Sequence, residues 1–114
     1  MKLDITERDG VAVVESVPKK LDYTVCNDFQ RQIIPSLEQG ANKLLVDLSQ
    51  TAFLDSCAIG TLITLRNRLL KTKGVIALCG ITPQVAKIIK ITDLHKVFEI
   101  YDDKEQALAA MAGA

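Results

Sequence analysis

Lys43-Leu44-Leu45-Val46-Asp47-Leu48-Ser49-Gln50-Thr51-Ala52-Phe53-Leu54-Asp55-Ser56-Cys57-Ala58-Ile59-Gly60 is the stretch whose reading decides the fold. Its first six residues form a short, almost continuous apolar run, the pattern of a strand covered on both faces. A polar segment follows, and Asp55-Ser56 then opens a helix, because a short polar side chain can accept from the orphan N–H groups of a first turn. Ile59, Leu62, Ile63, Leu65, Leu69 and Leu70 lie on more than one stripe of that helix, which predicts burial on a broad face. Gly74 is its expected stop.

On the C-terminal side, Val75-Ile76-Ala77-Leu78-Cys79 is a second buried strand. Thr82-Pro83 supplies a cap followed by proline at the first helical position. Val85, Ile88, Ile89 and Leu94 are the expected buried face of the helix that follows. Val97 to Tyr101 alternates as a last strand. Asp102, with Glu105 three residues on, fits a capping pattern before a final helix through Ala107 to Met111. On the N-terminal side, Asp9-Gly10 between two apolar runs predicts an antiparallel hairpin of about residues 2–8 and 11–17, ended by Pro18. Lys19 to Tyr23 reads as a polar loop, and Thr24 as the cap of a helix whose Val25, Phe29, Ile33 and Leu37 share one face. Pro35 in that helix predicts a kink or a restart, and Gly40 its end.

The predicted order β-β-α-β-α-β-α-β-α defines an α/β fold. It implies a mixed sheet of about five strands, an N-terminal β-hairpin and about four helices, in a single domain over 1–114. The expected core includes Leu45, Val46, Leu48, Leu62, Ile76, Leu78 and Ile89. A chain of 114 residues with 48% hydrophobic and 25% charged residues has globular proportions. Only 4% is aromatic, so the core must be aliphatic, and base-stacking platforms for nucleic acid are not expected. Fourteen basic residues balance fourteen acidic ones. The stretch Arg66 to Lys96 is nonetheless basic, with seven Lys/Arg against Asp93 alone. Three cysteines at no metal-like spacing point to a reducing compartment. The charged opening Met1-Lys2-Leu3-Asp4 and the absence of a long apolar run predict a cytoplasmic protein with no signal peptide and no membrane span.

Arrangements for catalysis are nearly absent. His95, the single histidine, has only Asp93 near it in sequence and falls on an expected exposed turn. No glycine-rich phosphate loop, nucleophile elbow or metal-ligand spacing occurs, so the expectation is no enzyme, no cofactor and no metal. The chemistry concentrates at Ser56, at or beside a helix N-cap. There orphan N–H groups and the positive end of the helix dipole point outward. Cys57, Ala58 and Gly60 are small and leave room for another protein to approach the hydroxyl. Cys57 is a second candidate, as a redox-sensitive thiol.

Leu44-Leu45-Val46-Asp47-Leu48-Ser49, then Phe53-Leu54-Asp55-Ser56 and Gly60, resembles the central motif of STAS domains, those of bacterial anti-sigma-factor antagonists. The resemblance continues through Leu78 to Val85, Ile91 to Leu94, Phe98 to Tyr101 and Glu105 to Leu108, so it covers nearly the whole chain. It implies a STAS-like fold and a regulatory binding module without catalysis. It also implies that Ser56 is phosphorylated by a partner serine kinase, itself the anti-sigma factor, and that a serine phosphatase reverses this. Asp22 matches an aspartate in the loop after the second strand. Asp22, Tyr23, Asp55, Ser56, Cys57 and Ala58 are then the expected partner-binding residues. The chain departs from the family pattern at Lys19-Lys20, where Gly-Glu is usual, and at Cys57-Ala58-Ile59 after the serine. The alternative is a phosphorylation-independent STAS scaffold or accessory subunit of a signalling or transport assembly.

Overall fold

The computed structural model describes residues 1–112. β1 (Asp4–Arg8) and β2 (Val11–Glu15) form the expected hairpin, with Asp4 opposite Glu15 and Arg8 opposite Val11. Asp9 and Gly10 both take positive φ, as a tight two-residue turn of this hand requires. The second strand ends earlier than Pro18, because Ser16 is left-handed and donates its hydroxyl to Asp4.

The remaining elements are β3 (Lys20–Leu21), α1 (Cys26–Glu38), β4 (Lys43–Asp47), β5 (Phe53–Leu54), α2 (Ser56–Leu70), β6 (Val75–Cys79), α3 (Pro83–Ile91), β7 (Glu99–Tyr101) and α4 (Lys104–Ala112). Five strands form the main sheet in the order β1-β2-β4-β6-β7, antiparallel only at β1/β2. This is the mixed α/β sheet expected from the element order, with four helices.

The continuous apolar runs are explained by what lies on each face. Ala12, Val14, Leu44, Val46, Ile76 and Leu78 point into the larger core, beneath α1, α2 and α3. Their alternating neighbours Val11, Val13, Leu45, Ala77 and Cys79 point the other way, against Ala107, Leu108 and Met111 of α4. All seven expected core residues are buried.

Thr82 caps α3 by accepting from the Val85 N–H, and Gly40, at φ +104, ends α1. Thr24 does not cap α1: Val25 holds the cap position without a side-chain bond, and the Asp22 carbonyl accepts from the Val25 and Cys26 N–H groups instead. Pro35 does not split α1, which runs unbroken to Glu38. The carbonyl it leaves unpaired belongs to Arg31, on an exposed face where water can satisfy it. The cap of α4 is Asp103, which accepts from the Gln106 N–H at 2.8 Å, not Asp102. Glu105 reaches Arg8 at 3.6 Å. The expected last strand is shortened, because Leu94–Lys96 winds into a 3₁₀ turn that carries buried Leu94, and the Phe98 N–H closes back on the Leu94 carbonyl.

Gly74 serves a different purpose from a left-handed stop. Lys73 takes the positive φ after α2, while a Cβ at Gly74 would lie 2.5 Å from the Asn42 carbonyl oxygen. The glycine permits the close approach that lets the Val75 N–H bond to Asn42 as β6 begins.

Candidate functional site

The site is assembled by an element too short to leave a periodic signal. β3 and β5, two residues each, pair in parallel, Lys20 with Phe53 and Leu21 with Leu54. The Ala52 N–H donates to the Lys19 carbonyl at 2.8 Å. This small second sheet lays the loop after β2 alongside the entry to α2. Loops at the carboxyl ends of parallel strands gather together, and β2 runs parallel to β4, so the loop after β2 emerges at the end of the sheet where α2 begins. The β3/β5 pairing then fixes it against that entry.

Thr51 locks the arrangement from beneath. It is the one fully buried polar residue among those described. Its hydroxyl donates to the Pro18 carbonyl at 3.0 Å, and its own carbonyl accepts from the Thr82 hydroxyl at 2.7 Å. The loop after β2, the loop before β5 and the start of α3 thus meet on one residue, through its hydroxyl and its carbonyl. Thr51→Val keeps the shape but strands the Pro18 carbonyl. It is expected to cost about 1–3 kcal/mol, read as a lower urea midpoint with an unchanged slope. An unchanged midpoint would remove Thr51 as the lock. Nothing in the sequence around it distinguishes this threonine from a loop residue.

Asp55 is the clamp. It caps α2 by accepting from the Ala58 N–H at 2.9 Å through one carboxylate oxygen, and it accepts from the Tyr23 N–H at 2.8 Å through the other. Its carboxylate is therefore engaged in holding the Tyr23 turn against the helix start. Asp22 organises that turn. Its carboxylate accepts from the Thr24 hydroxyl and N–H. The Thr24 hydroxyl bond is the main reason the Asp22 carboxyl sits below its ordinary value, with the nearby Lys20 charge assisting.

Ser56 is the first helical residue, immediately after the cap. It is exposed, and its hydroxyl makes no hydrogen bond among the described residues. Cys57 is also exposed, and Tyr23 is 74% exposed. Asp22, Tyr23, Asp55, Ser56 and Cys57 thus come together around one helix start, as the sequence reading expected. Ala58 is the correction. It is fully buried, on the inward face of α2 with Leu62, Leu65 and Leu69, so its methyl packs the core and meets no partner. A residue that sequence reasoning passed over is Phe53. In the extended pair Leu54 points inward and Phe53 outward, leaving its ring 43% exposed at the site's edge. Strict alternation across those two residues is the signal that could have found it.

The other two thiols are shut away. Burial raises both, Cys79 up to about 12. Among the described residues no group of metal-ligating side chains is assembled, and no helix is long and apolar enough to cross a membrane.

An exposed hydroxyl at a helix start, with aromatic and polar neighbours, on a mixed sheet opened by a hairpin places the chain among small α/β domains of one architecture. The family model described as "STAS domain" matches residues 2–107, and the chain belongs to the STAS domain family. It is 23% identical over 113 residues to the anti-sigma F factor antagonist of Paenibacillus polymyxa, covering 97% of this chain and 95% of that protein. The crystal structure of an anti-sigma factor antagonist from Mycobacterium paratuberculosis is 27% identical and superposes with a TM-score of 0.85, covering 96% of this chain and 92% of that one. The phosphorylated form of the Bacillus cell fate determinant SpoIIAA shares the fold with a TM-score of 0.72 at 17% identity, covering 96% of this chain and 97% of that one.

Proposed function

We propose that this chain is an anti-sigma-factor antagonist-like binding module, switched by reversible phosphorylation of Ser56. The observation that carries the reading is the exposed, unengaged Ser56 hydroxyl at the head of α2, with the Tyr23 turn clamped beside it. The unmodified domain docks on a partner serine kinase in the cytoplasm, with Tyr23, Phe53, Ser56 and Cys57 in the contact and Asp22 and Asp55 shaping it. The kinase transfers phosphate to Ser56, and a serine phosphatase removes it. The domain works by binding and carries out no catalysis of its own.

The chemistry of the switch is local. Phosphoserine adds about −1.5 to −2 charges. The head of a helix tolerates them, so the fold persists. A partner surface fitted to a neutral hydroxyl meets that charge beside the carboxylate of Asp55 and loses affinity through repulsion and desolvation.

The test is intact-mass analysis after incubation with the cognate kinase and ATP, followed by mapping of the modified residue. A phosphate on Ser56 supports the reading, and none on the chain favours the phosphorylation-independent scaffold.

Gly60 gives a test of the docking step itself. It is exposed one turn after Ser56, and a Cβ added there meets nothing within 4 Å. Gly60→Ala is therefore expected to raise stability by roughly 0.5–1 kcal/mol, since alanine is the better helix former. Calorimetric titration of the kinase should show its affinity reduced by about tenfold, if the partner lies close against this turn. Undiminished affinity would place the partner elsewhere on the helix.

A further inference from the structure

Two of the three thiols open neighbouring helices. Cys26 is the first residue of α1 and Cys57 the second of α2. The helices run side by side in the same direction. Their heads are joined where the Tyr23 N–H donates to Asp55, and their far ends where Arg68 meets Glu38 at 3.8 Å. At about 1.5 Å of rise per residue, Cys26 stands about 18 Å back from Glu38 and Cys57 about 17 Å back from Arg68, so the two thiols are level. They also face each other. Cys57, Thr61, Thr64 and Arg68 form one stripe of α2, and Arg68 shows that this stripe is turned toward α1. The Thr61 side chain hydrogen-bonds the Cys26 sulfur. Helix side chains lean toward the N-terminus, so that contact falls over the turn on which Cys57 sits. Cys79 is remote from both, on the opposite face of the sheet with the residues of α4.

We propose that Cys26 and Cys57 are a redox pair, which a peroxide converts into a disulfide tying the head of α1 to the head of α2, one residue from Ser56. Exposure sets the order of events. Cys57 is open to solvent and Cys26 is buried. Burial first of all, with Asp55 and Cys57 nearby, keeps the Cys26 thiol from ionising, against the opposing Thr61 bond. The Cys57 thiolate attacks one peroxide oxygen, the O–O bond breaks, and the departing hydroxide takes a proton to become water, leaving a sulfenic acid. The Cys26 sulfur then attacks the Cys57 sulfur. The S–O bond breaks, and the leaving hydroxide takes the Cys26 proton as a second water. Two thiols thus lose two electrons and two protons, and one peroxide becomes two waters. A disulfide needs the two Cα atoms within about 4.4–6.8 Å. The head of α1 has no side-chain cap, so its first turn can adjust to that separation at small cost. The bond backs with a covalent link the junction that Asp55 alone clamps in the reduced protein, and it does not depend on phosphorylation of Ser56.

The test is intact-mass analysis of the reduced full chain after a short exposure to hydrogen peroxide, followed by tryptic mapping without reduction. Trypsin leaves the three cysteines in separate peptides, 21–31, 44–66 and 74–87, so any link joins two identifiable fragments. The expected product is a monomer lighter by two hydrogens, with 21–31 bonded to 44–66 and 74–87 unmodified. Dithiothreitol should restore the starting mass. Cys79→Ser should form the bond in undiminished yield. Cys26→Ala should halt at a Cys57 sulfenic acid, captured by dimedone. Cys57→Ser should slow the loss of the Cys26 thiol by at least about tenfold, since the buried group then meets the oxidant alone. Circular dichroism checks the fold of each variant, and the wild-type map decides the pairing without them. A wild-type Cys57 that gains oxygen and forms no link to Cys26 would overturn the proposal. So would a bond between two chains through Cys57, a bond to Cys79, or a Cys57 that stays reduced at peroxide doses that oxidise free cysteine.

Discussion

Ser56→Ala is expected to abolish phosphoryl transfer from the partner kinase while leaving the domain folded. Because Asp55 holds the cap and the Ser56 hydroxyl is bonded to nothing among the described residues, the substitution removes no internal interaction. Its cost should stay within about 0.5 kcal/mol, the range of ordinary surface changes. The unphosphorylatable variant should bind the kinase as the unmodified protein does. Enzymatically phosphorylated wild type should bind more weakly by roughly 3 kcal/mol, more than a hundredfold in Kd. Ser56→Asp should fall between the two, since one carboxylate carries less charge and fewer acceptor oxygens than phosphate. Calorimetric titration of all four forms against the kinase decides the matter. Equal binding of phosphorylated and unmodified protein, or equal phosphate incorporation into Ser56→Ala, would demote Ser56 to an ordinary first-turn residue.

The parts of this molecule that were legible in the sequence are those whose signals are local and repeated. The run from Lys43 to Leu48 is apolar on both sides because both faces of β4 are covered, and the run itself announces that. Asp9-Gly10 and Thr82-Pro83 are short, but each satisfies a backbone requirement that few other pairs meet. The failures occur where one residue's role is set by something distant. Asp102 and Asp103 are chemically equivalent, and only the start of α4 selects the second. Thr24 looked like a cap, but the Asp22 side chain takes its hydroxyl. Ala58 lies among small residues that suggested an open surface, yet its place three residues after the cap turns it inward. The site shows the same division. Ser56 beside the cap could be read from its own neighbours, whereas the approach of Asp22 and Tyr23 depends on a two-residue strand pair and on buried Thr51. The family resemblance carried that proximity before the fold could explain it.

Leu62→Ala should give the largest loss of stability among the changes considered, because the helix that presents Ser56 is anchored through its underside. Leu62 is fully buried between Ala58 and Leu65 on the inward face of α2 and belongs to the larger core. Truncation removes apolar contact and leaves a cavity that close-packed neighbours fill only in part, for a cost of roughly 2–5 kcal/mol. Against a typical total of about 5–15 kcal/mol, that is a large share of the stability of a domain this size. Urea denaturation should show a markedly lower midpoint with little change in slope. A shift near zero would mean that α2 does not seat on the sheet through this face. The functional consequence separates anchoring from contact. Leu62 touches no partner, so the folded fraction of Leu62→Ala should still be phosphorylated on Ser56 and should bind the kinase with near-normal affinity, the losses tracking the unfolded fraction. Gly60→Ala, two residues away on the opposite face, should do the reverse, keeping stability and losing affinity. If both variants lost affinity in proportion to stability alone, the outer face of α2 would not be the docking surface.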